Sequence, residues 1–494
     1  MLVLLILKWA IILSIIGLVA VSSVIIVKLM MAHNKYKHLP GPPRNSFLFG
    51  NLSLLQSVMK DETTFGEAFF ELHKKYGPVV LIFALHKAVV SMTDPAIIKE
   101  VLTNDKYVKP AENYTVFVEL FGERFGGYSL VSETNHEKWA RHRRVLNPAF
   151  HRQYLRELMY IFNDSAGRMV QYLTTKADGK TEVSMVDTIG RVTVEAIAKA
   201  GFSMDEDMIF QKSTFRDAIA LCFEAGRKVN IDPLLQYNPF KEARDYRAKT
   251  KEAIHLLRDT AERMIRQRLK DQQEGKKLPK DILSYIIKTA MVDEKFQMVE
   301  MVDDLSHFWS RLLEEIDTVI GDKEDLLYED IAKLEYMMLC WHTVINQVLY
   351  HFLMFAGFER NTSAFSTRHW HRSKKPEELQ CLGHRVPANT MLFLVTYVMC
   401  RQEQFFKDPL TFDPERFRRD EDSPLYTYFP FSMGSRSCIG QHFALIEARV
   451  VLVKLFQKLN LKLVPGQKLG MVDRLTMRPS SQCLHYITER SKSA

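Results

Sequence analysis

The chain has 494 residues, 47% hydrophobic and 26% charged, proportions that allow a sizeable buried core and exclude extensive disorder. Its 67 Lys and Arg against 59 Asp and Glu leave a net charge of +8, which suits anionic lipid or an acidic protein partner. No nucleic-acid motif accompanies that charge, so no nucleic-acid partner is expected. Six cysteines, at 222, 340, 381, 400, 438 and 483, are too few and irregular for a disulfide framework and point to a reducing compartment.

The N-terminus carries the clearest local signal. Trp9 to Val27 is an uncharged apolar run of 19 residues between Lys8 and Lys28, near the roughly 20 that cross a bilayer as helix. A cleaved signal peptide has a shorter apolar region, typically about 7–15 residues, ending at a small-residue site. A retained single-pass anchor is therefore preferred. Lys28, His33, Lys35, Lys37 and His38 follow the span, and the positive-inside rule places them and the main domain in the cytosol. The chain divides into an anchor with its basic flank, 1–38, and one domain, 39–494.

Leu39-Pro40-Gly41-Pro42-Pro43 reads as a stiff extended spacer, because proline fixes φ and removes a donor. Val79 to Phe83 and Ala88 to Met92 have the composition of a hairpin. From about Asn135 to Ile287 the apolar spacing is helical, as in Leu158, Ile161, Phe162 and Ala166. The expected fold class is mainly α with a small β portion. Between about 339 and 380, His, Trp, Phe and Arg mix without period. His369-Trp370-His371 there reads as a loop, since two histidines without further ligands make no metal site.

The segment Phe431-Ser432-Met433-Gly434-Ser435-Arg436-Ser437-Cys438-Ile439-Gly440 suits a thiolate cradle. Gly434 and Gly440 allow close backbone approach to a flat macrocycle and present amides toward sulfur. Arg436 can meet a propionate, and a cysteine thiolate on haem iron favours O–O cleavage. Helical periodicity resumes from His442 to Leu459.

Phe431, Gly434, Arg436, Cys438 and Gly440 form an F-x-x-G-x-R-x-C-x-G pattern that resembles the signature of the cytochrome P-450 family. Trp139 and Arg143 resemble the family's W-x-x-x-R helix, with the i, i+4 spacing putting both on one face. The resemblance implies a cytochrome P-450 fold behind the transmembrane helix and a haem b (iron protoporphyrin) cofactor. Cys438 would be the axial iron ligand, and Trp139 and Arg143 would contact a propionate. It further implies electrons from NADPH through a flavoprotein reductase, docked near Lys138, Arg141, Arg144 and Arg152, at the endoplasmic reticulum membrane. Arg416 in Pro414-Glu415-Arg416-Phe417 would belong to a structural salt-bridge triad. At subfamily level Leu39 to Gly50, Lys74 to Val80, Phe121 to Glu133, Leu425 to Gln441 and Leu463 to Gln467 resemble the cholesterol 24-hydroxylases. That implies an apolar, sterol-like substrate, with Phe117, Val118, Leu120 and Phe121 in the substrate-lining loop.

The resemblance runs from about 36 to 308 and from about 383 to 480, and residues 309–382 depart from it. The family's oxygen-activating A-G-x-E/D-T helix is missing where Val302 to Phe308 passes straight to Leu312 to Asp317. No E-x-x-R lies before Pro387, since Glu335, Glu359, Glu377 and Glu378 lack an arginine three places on. Phe355 to Asn361 echoes the oxygen-helix motif but has Arg360 where threonine is expected, and is read as chance. No catalytic residue is assigned. The expected function is a haem-thiolate monooxygenase hydroxylating an apolar, sterol-like substrate. The alternative is a catalytically impaired haem-binding relative or an incorrect gene model. Lost acid–base groups typically cost about 10²- to 10⁴-fold in rate, so poor haem binding and little turnover are expected.

Overall fold

The computed structural model describes residues 2–55, 63–84, 87–290, 328, 368–373, 379–410, 426–467, 471–473, 477–479 and 481–490. Most of the described chain is helical. The expected helical stretch forms His136–Leu146, Met159–Thr174, Met185–Phe202, Thr214–Ile231, Lys241–Gln273 and Ile282–Ala290. Short polar caps set several starts: Ser184 accepts from the Asp187 amide and Ser213 from the Arg216 amide, each satisfying a donor left over at a helix N-terminus. The apolar faces of these helices and of Gln441–Lys458 bury one another in the largest core cluster. At its centre Phe162 meets Phe443 edge to face, with ring centroids 4.8 Å apart.

The expected hairpin is present as antiparallel Val79–Ala84 and Lys87–Met92. It opens a five-stranded sheet that continues through Met391–Val395, Arg368–Ser373 and Tyr107–Val108. The His369 to His371 segment, expected as a loop, is thus a strand. Its backbone pairs with Leu392 to Leu394 on one side, and the same strand meets Tyr107 and Val108 through Ser373 and Arg372. Two ladders override a sequence that shows no alternation. A second sheet joins Leu459–Leu463, Leu484–Glu489 and Asp178–Ser184.

The N-terminal helix runs unbroken from Leu2 to Tyr36 and is long and apolar enough to cross a membrane. Its last turns are docked on the domain: Leu29, His33 and Tyr36 are buried, Thr390 donates to the Tyr36 hydroxyl (3.0 Å), and Lys35 Nζ donates to the Ala388 carbonyl (3.3 Å). The proline-rich stretch is non-helical as expected and is docked on the domain. The Leu81 amide donates to the Pro40 carbonyl (2.7 Å), and Asn51 Nδ2 donates to the Pro43 carbonyl (3.0 Å) while its own side chain accepts from the Phe83 amide (3.0 Å). A β-carbon on Gly41 would sit 2.2 Å from the Leu81 carbonyl oxygen, so this contact requires glycine.

His73, on Phe65–Tyr76, is buried between this sheet and its own helix end. Its Nδ1 lies 2.9 Å from the Gly77 carbonyl and its Nε2 2.8 Å from the Ser91 hydroxyl, a pairing that fits the neutral ring with Nδ1–H donating. Burial draws its pKa down to about 4, opposed by the bond to Gly77. The unfolded chain, near 6.5, therefore protonates first as pH falls. Stability should be level above about pH 7 and decline between 6.5 and 4 by up to about 3 kcal/mol. Chemical denaturation across that range checks it: His73→Gln should flatten the acid limb, and an unchanged limb would contradict the assignment.

Candidate functional site

The site is built where the Phe431 to Gly440 loop meets the His136–Leu146 helix, some 300 residues apart in sequence. Asn135 starts the helix by accepting from the Glu137 and Lys138 amides (3.0 and 3.1 Å). The preceding turn is fixed by Ser132 Oγ, which accepts from the Ser129 amide (2.9 Å), and by the Glu133 amide donating to the Ser129 carbonyl (2.8 Å). From that platform Trp139 points inward, buried, with Arg143 one turn later on the same face.

Both residues meet the loop. Arg143 Nη1 donates to the Ser437 carbonyl at 2.7 Å, beside Cys438. Arg436 stacks over the Trp139 ring with its guanidinium carbon 4.2 Å from the centroid, and Nη1 donates to the Glu133 carbonyl at 2.8 Å. Burial draws the Arg436 pKa down to about 10; Tyr114, Glu133 and Asp105 oppose the shift, while the neighbouring Arg143 charge adds to it. Among the described residues no carboxylate reaches it within ion-pair distance.

The loop turns on itself. The Cys438 amide donates to the Phe431 carbonyl (2.8 Å) and the Ser437 amide to the Gly434 carbonyl (3.2 Å). Phe431 is buried in the main core and fixes the loop's near end. Gly434 sits at φ +71°, and a β-carbon there would lie 2.2 Å from the Leu102 carbonyl oxygen. Its need for glycine thus comes from the end of the Pro95–Thr103 helix, a partner that motif reading did not suggest. Gly440 has an ordinary backbone (φ −81°) and leads into Gln441–Lys458, its carbonyl accepting from the Ala444 amide at 2.9 Å.

None of the five cysteines among the described residues forms a disulfide. Cys222, Cys381, Cys400 and Cys483 are buried, and burial pushes the thiols of the first three up to about 12. Cys438 alone of the five is half-buried, in an electropositive corner between Arg436 and Arg143. Reactive or ligating thiols need such partial access and positive surroundings.

The other expected residues fall in two places. Phe117, Leu120 and Phe121 are buried and Val118 half-buried, in a segment packed against Thr214–Ile231; Phe121 meets Tyr246 edge to face at 6.4 Å. Of the basic residues expected at a reductase surface, Lys138, Arg144 and Arg152 are exposed, while Arg141 is half-buried with a sheltered Nε. Arg416, the oxygen-helix region, the absent E-x-x-R, Cys340 and Phe355 to Asn361 all lie outside the described residues.

Two contacts of the site were missed by sequence reasoning: the Glu133 carbonyl and the Leu102 backbone, whose parts in these contacts any side chain would allow and which leave no compositional trace.

The family model described as Cytochrome P450 matches residues 40–308 and 360–485, more than half of the chain. Human Cytochrome P450 3A5 is 26% identical over 478 residues, covering 87% of each chain. Carotene epsilon-monooxygenase, chloroplastic, of Arabidopsis thaliana is 25% identical, covering 86% of this chain and 83% of its own. Cytochrome P450 4d2 of Drosophila melanogaster is 24% identical, covering 86% and 88%. The match resumes at 360, so part of the stretch expected to depart from the family, including the strand Arg368–Ser373, lies within the family frame. Membership implies a haem cofactor, electrons supplied by a reductase and hydrophobic substrates. The chain belongs to the cytochrome P450 family and is, by that likeness, a monooxygenase.

Proposed function

We propose that the chain is a haem-thiolate monooxygenase, with Cys438 as the iron ligand. It would be held at the endoplasmic reticulum membrane by its N-terminal helix, with the domain in the cytosol. The observation that carries this is the convergence of Arg143 on the Ser437 carbonyl and of Arg436 on Trp139, around the one cysteine that is half-buried among the described residues.

The residues suit a haem on two counts. Arg436 is a half-buried cation whose hydrogen bond goes to a neutral carbonyl, a setting that an anionic propionate would complete. Cys438 has the partial exposure that a ligating thiolate needs. When bound, a thiolate-ligated haem supplies the activation of dioxygen, because the sulfur pushes electron density that favours O–O cleavage. Phe431, Gly434 and Gly440 would hold the loop's shape, Trp139 and Arg143 would brace it, and Arg436 would orient the propionate. Electrons from NADPH would arrive through a flavoprotein reductase docked on exposed Lys138, Arg144 and Arg152, an attraction weakened by salt.

For substrate, the proposal is an apolar molecule entering near Phe117, Val118, Leu120 and Phe121. Its narrowing to a sterol rests on sequence stretches resembling cholesterol 24-hydroxylases; none of the three named relatives carries that word in its name. A second reading, a haem-binding relative with impaired catalysis, is favoured by one finding: the family match omits 309–359.

Two outcomes test the site. Cys438→Ala should abolish the thiolate-type carbonyl spectrum of the ferrous protein, and its retention would sink the ligand assignment. NADPH-driven product formation by the unaltered chain with reductase then separates enzyme from impaired relative. Arg143→Ala should free the Ser437 carbonyl and cost about 1.5–3 kcal/mol, the range for a hydrogen bond to a charged group. The expected readout is lower haem content per protein and a lower Tm, partly recovered by Arg143→Lys; unchanged haem content would contradict the bracing role.

A further inference from the structure

The junction of the N-terminal helix with the domain holds a groove that the oxidation chemistry does not use. It encloses about 350 Å³ and is lined by Tyr36, Lys37, Leu39, Pro42, Arg44 and Phe83, among others. Its floor is apolar and its rim cationic. Arg44 is half-buried, lies 4.4 Å over the Phe83 ring, and has its pKa lowered by burial. Among the described residues neither Arg44 nor Lys37 has a carboxylate partner. The sequence explains why: its first 60 residues contain six Lys or Arg and no Asp or Glu.

Three neighbouring features say what would lie there. The groove opens where the apolar helix ends, and no residue of that helix's apolar window is buried. Beside it, Phe47, Leu48 and Phe49 are exposed at 49%, 47% and 53%, on a turn closed by the Ser46–Gly50 bridge. Consecutive exposed bulky residues next to cations are the composition of an interfacial surface, where apolar groups enter the acyl region and cations meet phosphate. A cation half-buried over an aromatic ring and lacking a counter-ion favours an anion brought to it.

We propose that this groove is a binding site for the headgroup phosphate of an anionic phospholipid, with Arg44 and Lys37 as its contacts and Phe47 to Phe49 immersed beside it. The proposal rests on the reading of the N-terminal helix as a membrane anchor. It adds a lipid-selective contact that the helix alone does not provide, since apolar burial does not distinguish headgroups while a paired guanidinium does. The groove would thereby fix the tilt of the domain against the bilayer as well as its attachment.

The test uses the full-length chain. Flotation with phosphatidylcholine vesicles reports anchoring alone. In neutral detergent, calorimetric titration with short-chain phosphatidylserine, short-chain phosphatidylcholine or inorganic phosphate reports the groove. The expected result is flotation of the chain together with saturable phosphatidylserine binding. Arg44→Gln should weaken that binding about tenfold, and Lys37→Gln, at an exposed position outside the packed floor, by a smaller factor. Lys212→Gln, remote and exposed, should leave it unchanged, and all three variants should still float. Flotation without a preference for phosphatidylserine overturns the groove while sparing the anchor. Equal binding of inorganic phosphate overturns the lipid assignment, and failure to float overturns anchor and groove together.

Discussion

Burying the Arg436 guanidinium costs free energy, and much of the candidate site's geometry follows from how its neighbours offset that cost. The Trp139 ring offers its face at 4.2 Å and Glu133 its carbonyl at 2.8 Å. Both depend on where the His136–Leu146 helix begins. That point is set by the Asn135 cap and by the Glu133 carboxylate, which accepts from the Asn135 amide at 2.6 Å. Arg143, four residues beyond Trp139, then arrives within 2.7 Å of the Ser437 carbonyl. The W-x-x-x-R spacing and the R-x-C spacing are thus two ends of one constraint. Arg436 and Arg143 also raise each other's electrostatic energy, so the arrangement favours an anion between loop and helix.

Much of this could be read from residues alone, for identifiable reasons. The helix from 136 carries a cap, a buried aromatic and an i, i+4 arginine, all of which leave periodic traces. The loop's glycines and cysteine lie at fixed spacings. The hairpin at 79–92 consists of two short runs rich in β-forming residues, so it too was legible. What was hidden is backbone-mediated: the approach of Gly434 to Leu102, the use of the Glu133 carbonyl, and the strand at 368–373. That last element shows no alternation in sequence and owes its conformation to partners on both edges. The proline-rich stretch is non-helical as expected, and only its docking was hidden, for a related reason. Its composition speaks of stiffness, while its place is set by the Leu81 and Asn51 hydrogen bonds.

That placement has a second physical consequence. Val79–Ala84 is the outermost strand of the five-stranded sheet, and an open edge invites further pairing. Residues 40–43 lie along it, giving the Leu81 amide its acceptor in Pro40. Proline has no amide to offer outward, so the chain that covers the edge cannot extend it. The same three prolines that protect the sheet continue directly from a helix docked through Leu29, His33 and Tyr36. The end of the helix, the edge cover and the sheet are therefore joined through buried contacts and hydrogen bonds.

The interruption of the family match can be weighed against this frame. It falls at 309–359, between residues that match on both sides. The elements that hold the cysteine loop, namely the His136–Leu146 helix, the Pro95–Thr103 helix and Gln441–Lys458, all lie outside it. The strand that follows it, Arg368–Ser373, lies inside the five-stranded sheet, paired on both sides, within about ten residues of where the match resumes. A change confined to this stretch leaves the contacts of Arg436, Arg143 and Cys438 in place. Holding a cofactor and moving protons to it are separable tasks, because one depends on packing and charge pairing and the other on individually positioned acids. In this chain the first set of residues is brought together, and the family match stops at 308, where the resemblance would place the second.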